Sequence, residues 1–209
     1  MSKLQELVHA IENGETKQAA GLVQEVLDEG VAPIDILNKG MIEAMAVVGE
    51  KFKNDEIFIA EMLVAARAMK RGVEILTPHL TGEGNISRGK VVMGTVSGDL
   101  HDIGKNLVTL MIESAGFEVV DLGVDVPAVK FVEAASDPEV NIVGVSSLLT
   151  TTMPAMKEIV AALNECSNRK NFKIMVGGAP ITQEFCDKIG ADIYTSDAGS
   201  AAEAAVAAV

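Results

Sequence analysis

The sequence predicts a four-helix bundle over residues 1–86 followed by a doubly wound α/β domain over 87–209. Two patterns carry this expectation. Apolar residues recur every three or four positions through the first eighty residues, and after them short β-rich apolar runs alternate with helical stretches. A third observation sets the division: Thr81-Gly82-Glu83-Gly84-Asn85 has the composition of a flexible linker.

In the first half, Leu4, Leu7, Val8 and Ile11 share one helical face that Gly14 ends. A second helix starts near Thr16, turns Ala19, Leu22, Val23, Val26 and Leu27 inward, and stops at Gly30. Pro33 opens a third, whose apolar positions Leu37, Met41, Met45, Val48 and Phe52 keep helical spacing until Lys53-Asn54-Asp55-Glu56 breaks it. The fourth carries Phe58, Met62, Ala66, Met69, Val73 and Leu76 on one face, and Pro78 ends it. Phe52, Phe58 and Ile59 gather bulky apolar groups at one end of the bundle. Such a cluster is ordinarily core, but astride a polar loop it could also cover an apolar ligand, with Met41, Met45, Met62 and Met69 as adaptable packing.

In the second half, strands are expected at 91–96, 118–122, 141–146, 173–176 and 191–194, and helices at 103–116, 127–136, 153–166, 181–189 and 198–208. This alternation implies a five-stranded parallel sheet with right-handed crossovers, and the flavodoxin-like (Rossmann-like) order 2-1-3-4-5 fits it. The switch point of that order lies between the first and third strands, so their carboxyl ends should flank a ligand.

Composition narrows the partners. Seventeen basic against thirty acidic residues give a net charge of −13, which opposes a nucleic-acid backbone, and 3% aromatic content with no Trp offers little stacking for bases or a flavin. Cys166 and Cys186 stand alone without CxxC spacing, as suits a reduced cytoplasm. No apolar run is long enough to imply a membrane partner.

The expected strand ends are unusual. The first runs into Gly98-Asp99-Leu100-His101-Asp102-Ile103-Gly104-Lys105-Asn106, where an imidazole stands two residues from a carboxylate. A ligating imidazole commonly gives its second N–H to such a carboxylate. A loop histidine beside a helix-capping aspartate would read the same in isolation. The third strand ends in Ser146-Ser147-Leu148-Leu149-Thr150-Thr151-Thr152, and one of these hydroxyls could cap the helix expected near Met153. Five hydroxyls in seven residues exceed what a cap requires, leaving a surplus for a polar ligand tail or a hydrogen-bond relay. The fourth ends in Gly177-Gly178, which fits either a turn or close ligand approach.

Taken together, Asp99-x-His101-x-x-Gly104, Ser146-x-Leu148 and Gly177-Gly178, with 41 residues between Gly104 and Ser146 and 28 between Leu148 and Gly177, match the cobalamin-binding signature. The first half is also similar to that family's capping bundle, in Gly40-Met41, Val47 to Phe52, Phe58-Ile59 and Ala65 to Met69. The chain resembles the small corrinoid proteins of methyltransferase systems and the cobalamin-binding module of methionine synthase. The resemblance implies cobalamin or a related corrinoid, as methylcobalamin, with cobalt ligated by His101. Asp99 would hold His101, and Thr152 stands where methionine synthase has a relay serine. Gly98, Leu100, Asp102 and Ile103 complete the motif loop. Gly104 would leave room for the nucleotide tail, Ser146, Leu148 and Thr150 would line its slot, Gly177 and Gly178 would admit its base, and Ala198 would touch it. Phe52 and Ile59 would shield the upper face of the corrin.

The implied function is methyl carriage. A substrate-specific methyltransferase would methylate Co(I), and an acceptor methyltransferase would pass the group to coenzyme M or tetrahydrofolate. A corrinoid-reducing activase is a further implied partner, and the carrier would not be catalytic alone. Two other classes share parts of the pattern. A subunit of an adenosylcobalamin-dependent mutase would normally lack the helical cap, and a cobalamin-sensing regulator would need a basic DNA-binding domain for which 1–86 leaves no room.

Overall fold

The computed structural model describes residues 2–80 and 87–209, so the linker expected at Thr81–Asn85 lies outside the described residues. The chain divides into two compact units, Met1–Ile86 with Ser114–Gly116, and Ser87–Glu113 with Phe117–Val209.

The first unit is helical. Helix α1 (Lys3–Glu12) is started by a capping box in which the Ser2 hydroxyl accepts from the Gln5 amide and the Gln5 side chain accepts from the Ser2 amide. Helix α2 (Thr16–Asp28) buries Ala19, Leu22, Val23 and Val26. The third helical stretch departs from expectation. It opens as α3 (Pro33–Asp35), widens into a π-helical segment at Ile36–Ile42, and returns to α-helix in α4 (Glu43–Lys53). Ile36, Leu37, Gly40, Met41 and Ile42 are all buried there, more of the seven residues than a 3.6-residue stripe turns inward, and the wider turn accommodates them. Helix α5 (Ile59–Leu76) begins where the Glu61 carboxylate accepts from the Phe58 amide, and it ends in a 3₁₀ turn at Thr77–His79. Met41, Met45, Met62 and Met69 are core residues of this unit rather than part of an exposed surface. Phe58 and Ile59 are exposed and Phe52 is half-buried.

The second unit alternates strand and helix: β1 (Lys90–Thr95), α6 (Ile103–Ser114), β2 (Glu118–Asp121), α7 (Ala128–Ala135), β3 (Val140–Ser146), α8 (Met153–Asn164), β4 (Lys173–Gly177), α9 (Gln183–Ile189), β5 (Ile193–Thr195) and α10 (Ala198–Ala208). All strand pairs are parallel and the order is β2-β1-β3-β4-β5. The apolar runs of β1, β3 and β4 are buried on both faces, as a parallel sheet with helical crossovers requires. Val92, Val143, Val145, Ile174 and Val176 pack with Phe131, Ile159 and Leu163 into one core. The edge strand β2 is largely exposed.

Register places the site. Thr95 pairs with Ser146, Ser146 with Gly177, and Gly177 with Thr195, so one row across β1, β3, β4 and β5 forms the carboxyl edge of the sheet. The order changes direction between β1 and β3, so ligands of such sheets bind beside this row. No helix among the described residues is long and apolar enough to cross a membrane.

Candidate cofactor site

Asp99 is the centre of the site. Its side chain is 0% exposed, at the turn between β1 and α6, and both of its oxygens are engaged. Oδ1 accepts from the His101 amide at 3.1 Å and lies 2.7 Å from His101 Nδ1. Oδ2 accepts from the Leu148 amide at 2.7 Å and from the Thr152 hydroxyl at 3.1 Å. Burial pushes this carboxyl up, but the Leu148 and His101 amides, the His101 ring and the Thr152 hydroxyl outweigh it and hold the group at about 2. Asp99 is therefore an anion at any physiological pH. An anionic acceptor at Nδ1 fixes the tautomer with the proton on Nδ1 and leaves Nε2 as a lone-pair donor. Among the described residues Nε2 has no hydrogen-bond partner, and the ring is half exposed.

The hydroxyl-rich loop separates into two groups. Thr152 precedes α8, yet its side chain does not cap that helix. A hydroxyl has one proton, and Thr152 Oγ1 lies 3.0 Å from the Leu149 carbonyl and 3.1 Å from Asp99 Oδ2; the anionic carboxylate is the stronger acceptor, and with the proton there Thr152 Oγ1 accepts from Ser147 Oγ, 2.8 Å away and fully buried. The line of polar groups thus runs Ser147, Thr152, Asp99, His101. Ser146 and Thr150 take no part in it: Ser146 lies in the row across the sheet and Thr150 is exposed in a 3₁₀ turn. Leu100, Ile103 and Leu148 are exposed apolar side chains around His101, in the motif loop, at the start of α6 and after β3. Gly98 and Asp102 are exposed in the motif loop, and Asn106 donates from its side chain to the Asp102 carboxylate.

The glycines differ in what requires them. Gly178 has φ +131, and a Cβ there would fall 1.8 Å from the Ser147 carbonyl oxygen; at Gly177 it would come within 3.1 Å of the Thr195 carbonyl oxygen. Glycine at 178 is demanded by the fold itself, while at 177 a Cβ would need the Thr195 carbonyl to give by a few tenths of an ångström. Gly104, in the first turn of α6, is exposed, and a Cβ there would meet nothing within 4 Å. Nothing among the described residues explains glycine at 104, so the position suits a group approaching from outside. Ala198 is buried at the first position of α10, behind Asp197, which caps that helix through the Ser200 amide.

Sequence reasoning missed four residues. Thr95 is buried in the row across the sheet and donates its hydroxyl to the His101 carbonyl at 3.0 Å. Ser147 extends the relay. Lys105 is buried, ion-pairs with Asp121 and donates to Asn106, tying α6 to the end of β2. Asp125 holds the motif loop from the next loop along. Thr95 and Ser147 reach partners six and five residues away, whereas Lys105 and Asp125 reach across 16 and 27 residues, so only the folded turns at the strand ends select which side chains meet.

A single half-exposed imidazole cannot hold a bare ion, and no cluster of three or more metal-ligating side chains occurs among the described residues. The donor set fits a metal that brings its other ligands with it and takes one axial nitrogen from the protein. A switch-point sheet with such an edge defines a cofactor-binding α/β domain rather than a protein-built metal centre.

The chain belongs to the B12-binding proteins: residues 89–207 match one B12 binding domain model and residues 3–77 match a second. It is 41% identical over 208 residues to a corrinoid protein of Desulfitobacterium hafniense (strain Y51), covering 98% of this chain and 96% of that one. It is 42% identical over 191 residues to trimethylamine corrinoid protein 1 of Methanosarcina acetivorans, covering 90% and 88%. Among solved structures, it superposes on a cobalamin-binding protein of Desulfitobacterium hafniense DCB-2 with a TM-score of 0.83 and 33% identity, covering 99% and 98%. A chain of the methanol:cobalamin methyltransferase complex of Methanosarcina barkeri matches with a TM-score of 0.85 and 31% identity, covering 99% of this chain and 80% of that one. The cofactor is a corrinoid.

Proposed function

We propose that this chain is a methyl carrier, receiving a methyl group on its corrinoid from a substrate-specific methyltransferase and yielding it to an acceptor methyltransferase. When bound, the corrinoid supplies a cobalt centre that takes up and releases the methyl group. His101 Nε2 would ligate the cobalt, with Asp99 holding the ring and Thr152 and Ser147 orienting Asp99. Gly104, Ser146, Leu148 and Thr150 would line a slot for the nucleotide tail, Gly177 and Gly178 would admit its base, Ala198 would touch it, and Gly98, Leu100, Asp102 and Ile103 form the loop around His101. Phe52 and Ile59 would cover the corrin. The carrier works in the cytoplasm, where the free thiols Cys166 and Cys186 stay reduced, and a reducing activase restores the cofactor after adventitious oxidation.

The observation that carries this reading is the 2.7 Å contact between His101 Nδ1 and a buried anionic Asp99, which leaves Nε2 as an unengaged donor. A methylated amine is the first donor class to assay, since among solved structures the monomethylamine corrinoid protein of Methanosarcina barkeri is 37% identical, against 31% for the methanol complex. Loaded with cobalamin and reduced to Co(II), the protein should show axial-imidazole nitrogen coupling by electron paramagnetic resonance. His101→Ala should lose that coupling while keeping the cofactor. Persistence of the coupling in that variant would place the ligand elsewhere.

A further inference from the structure

Asp125 is one of two non-glycine residues among those described with positive φ, at +53. Aspartate tolerates this backbone better than most side chains, but the conformation is still unfavourable and persists only where the surroundings impose it. Three hydrogen bonds do so here. Asp125 Oδ1 accepts from the Gly98 amide at 2.7 Å and from the Ser97 hydroxyl at 3.1 Å, and the Asp125 amide donates to the Asp99 carbonyl at 3.0 Å. Val96 and Val126 form a parallel bridge, the Val126 amide donates to Thr95, and the Thr95 amide donates to Gly123. The loop between β2 and α7 therefore continues the sheet pairing beyond β1 and closes a carboxylate over the first residues of the motif loop.

The geometry points to Asp125 as a positioning residue for the axial ligand. Its carboxylate fixes the Ser97–Gly98 backbone, where Gly98 has φ +80, and its amide fixes Asp99. Release of this clamp lets the loop pivot at Gly98, and Asp99 then no longer holds the Nδ1 side of His101. Asp125 acts through the backbone and touches neither the imidazole nor the cofactor. This role rests on the reading of His101 as the axial ligand.

Three full-length variants separate the contributions. Asp125→Gly removes the carboxylate and relieves the backbone, Asp125→Ala removes the carboxylate and keeps the unfavourable backbone, and Asp125→Asn keeps an acceptor and the tolerance for positive φ. In the cofactor-free protein, amide exchange at Gly98 should accelerate about tenfold or more in Asp125→Gly, as expected for a lost charge-assisted hydrogen bond, and stay near wild type in Asp125→Asn. In protein loaded with hydroxocobalamin and reduced to Co(II), the share of bound cobalt with axial-nitrogen coupling should fall by at least half in Asp125→Gly and Asp125→Ala, and return in Asp125→Asn. The proposal is overturned if Asp125→Gly keeps wild-type exchange at Gly98, or if exchange accelerates while the nitrogen-coupled share is unchanged. A wild-type protein without nitrogen coupling would instead overturn the axial-ligand reading, and the exchange arm would still decide whether Asp125 clamps the loop.

Discussion

The carboxyl edge of the sheet and the exposed end of the helical unit are built on opposite principles. At the sheet edge, the buried Asp99 carboxylate has both oxygens occupied by groups of the loops after β1 and β3, and the loop after β2 holds the Asp99 backbone carbonyl. At the helical end, Phe58 is 72% exposed and Ile59 46%, and the polar contact nearby, from the Phe58 amide to Glu61, only starts a helix. The first region is over-determined, and a single change there leaves a buried polar group unpaired. The second holds apolar side chains that contribute little to the stability of their own unit. Geometry is specified at the sheet edge, where hydrogen bonds hold each group of the Asp99 and His101 pair, and is left open at the helical end, where the side chains have few contacts.

Gly178→Val gives the largest expected effect. Its Cβ would fall 1.8 Å from the Ser147 carbonyl oxygen with φ at +131, so the fold should lose more than about 4 kcal/mol in urea denaturation. A smaller loss would show that the Ser147 loop yields easily, and the edge would not be over-determined. Asp99→Asn comes next. The carboxyl is held at about 2 against an ordinary 3.8, so its ionisation adds about 2 kcal/mol to stability at neutral pH. Because the folded-state value is the lower one, this contribution is complete above about pH 4 and disappears as pH falls through about 2. Urea titrations across that range should show a steeper acid loss in the wild type than in Asp99→Asn, which keeps only the loss from other lowered carboxyls such as Asp137.

Gly104→Val sharpens the comparison differently. With nothing within 4 Å of its Cβ, stability should change by less than about 1 kcal/mol, while cobalamin retention on gel filtration should be lost. Retention of the cofactor by a folded Gly104→Val protein would move the tail slot elsewhere. Phe58→Ser should have the smallest effect, within about 0.5 kcal/mol by thermal unfolding. Ile59→Ser should be as mild for stability by the same measurement.

By itself the sequence determined the elements and their order. Alternating apolar runs and helical stretches specify β1 to β5 and α6 to α10 to within a residue or two, since both periods are local properties of the chain. The Asp99 and His101 pair was legible for the same reason: two residues apart on one loop, they are within reach whatever else the chain does. The π-helical segment at Ile36–Ile42 was not legible, because the apolar spacing there also satisfies an α-helix and the wider turn is chosen by burial. Nor was the division of the hydroxyls, in which Thr152 and Ser147 join Asp99 while Ser146 aligns with Thr95, Gly177 and Thr195. Register across a parallel sheet depends on strands separated by whole helices. The Asp125 clamp belongs to the same class. Tertiary structure alone decided these contacts, because a hydrogen bond between distant segments exists only once packing has fixed both partners.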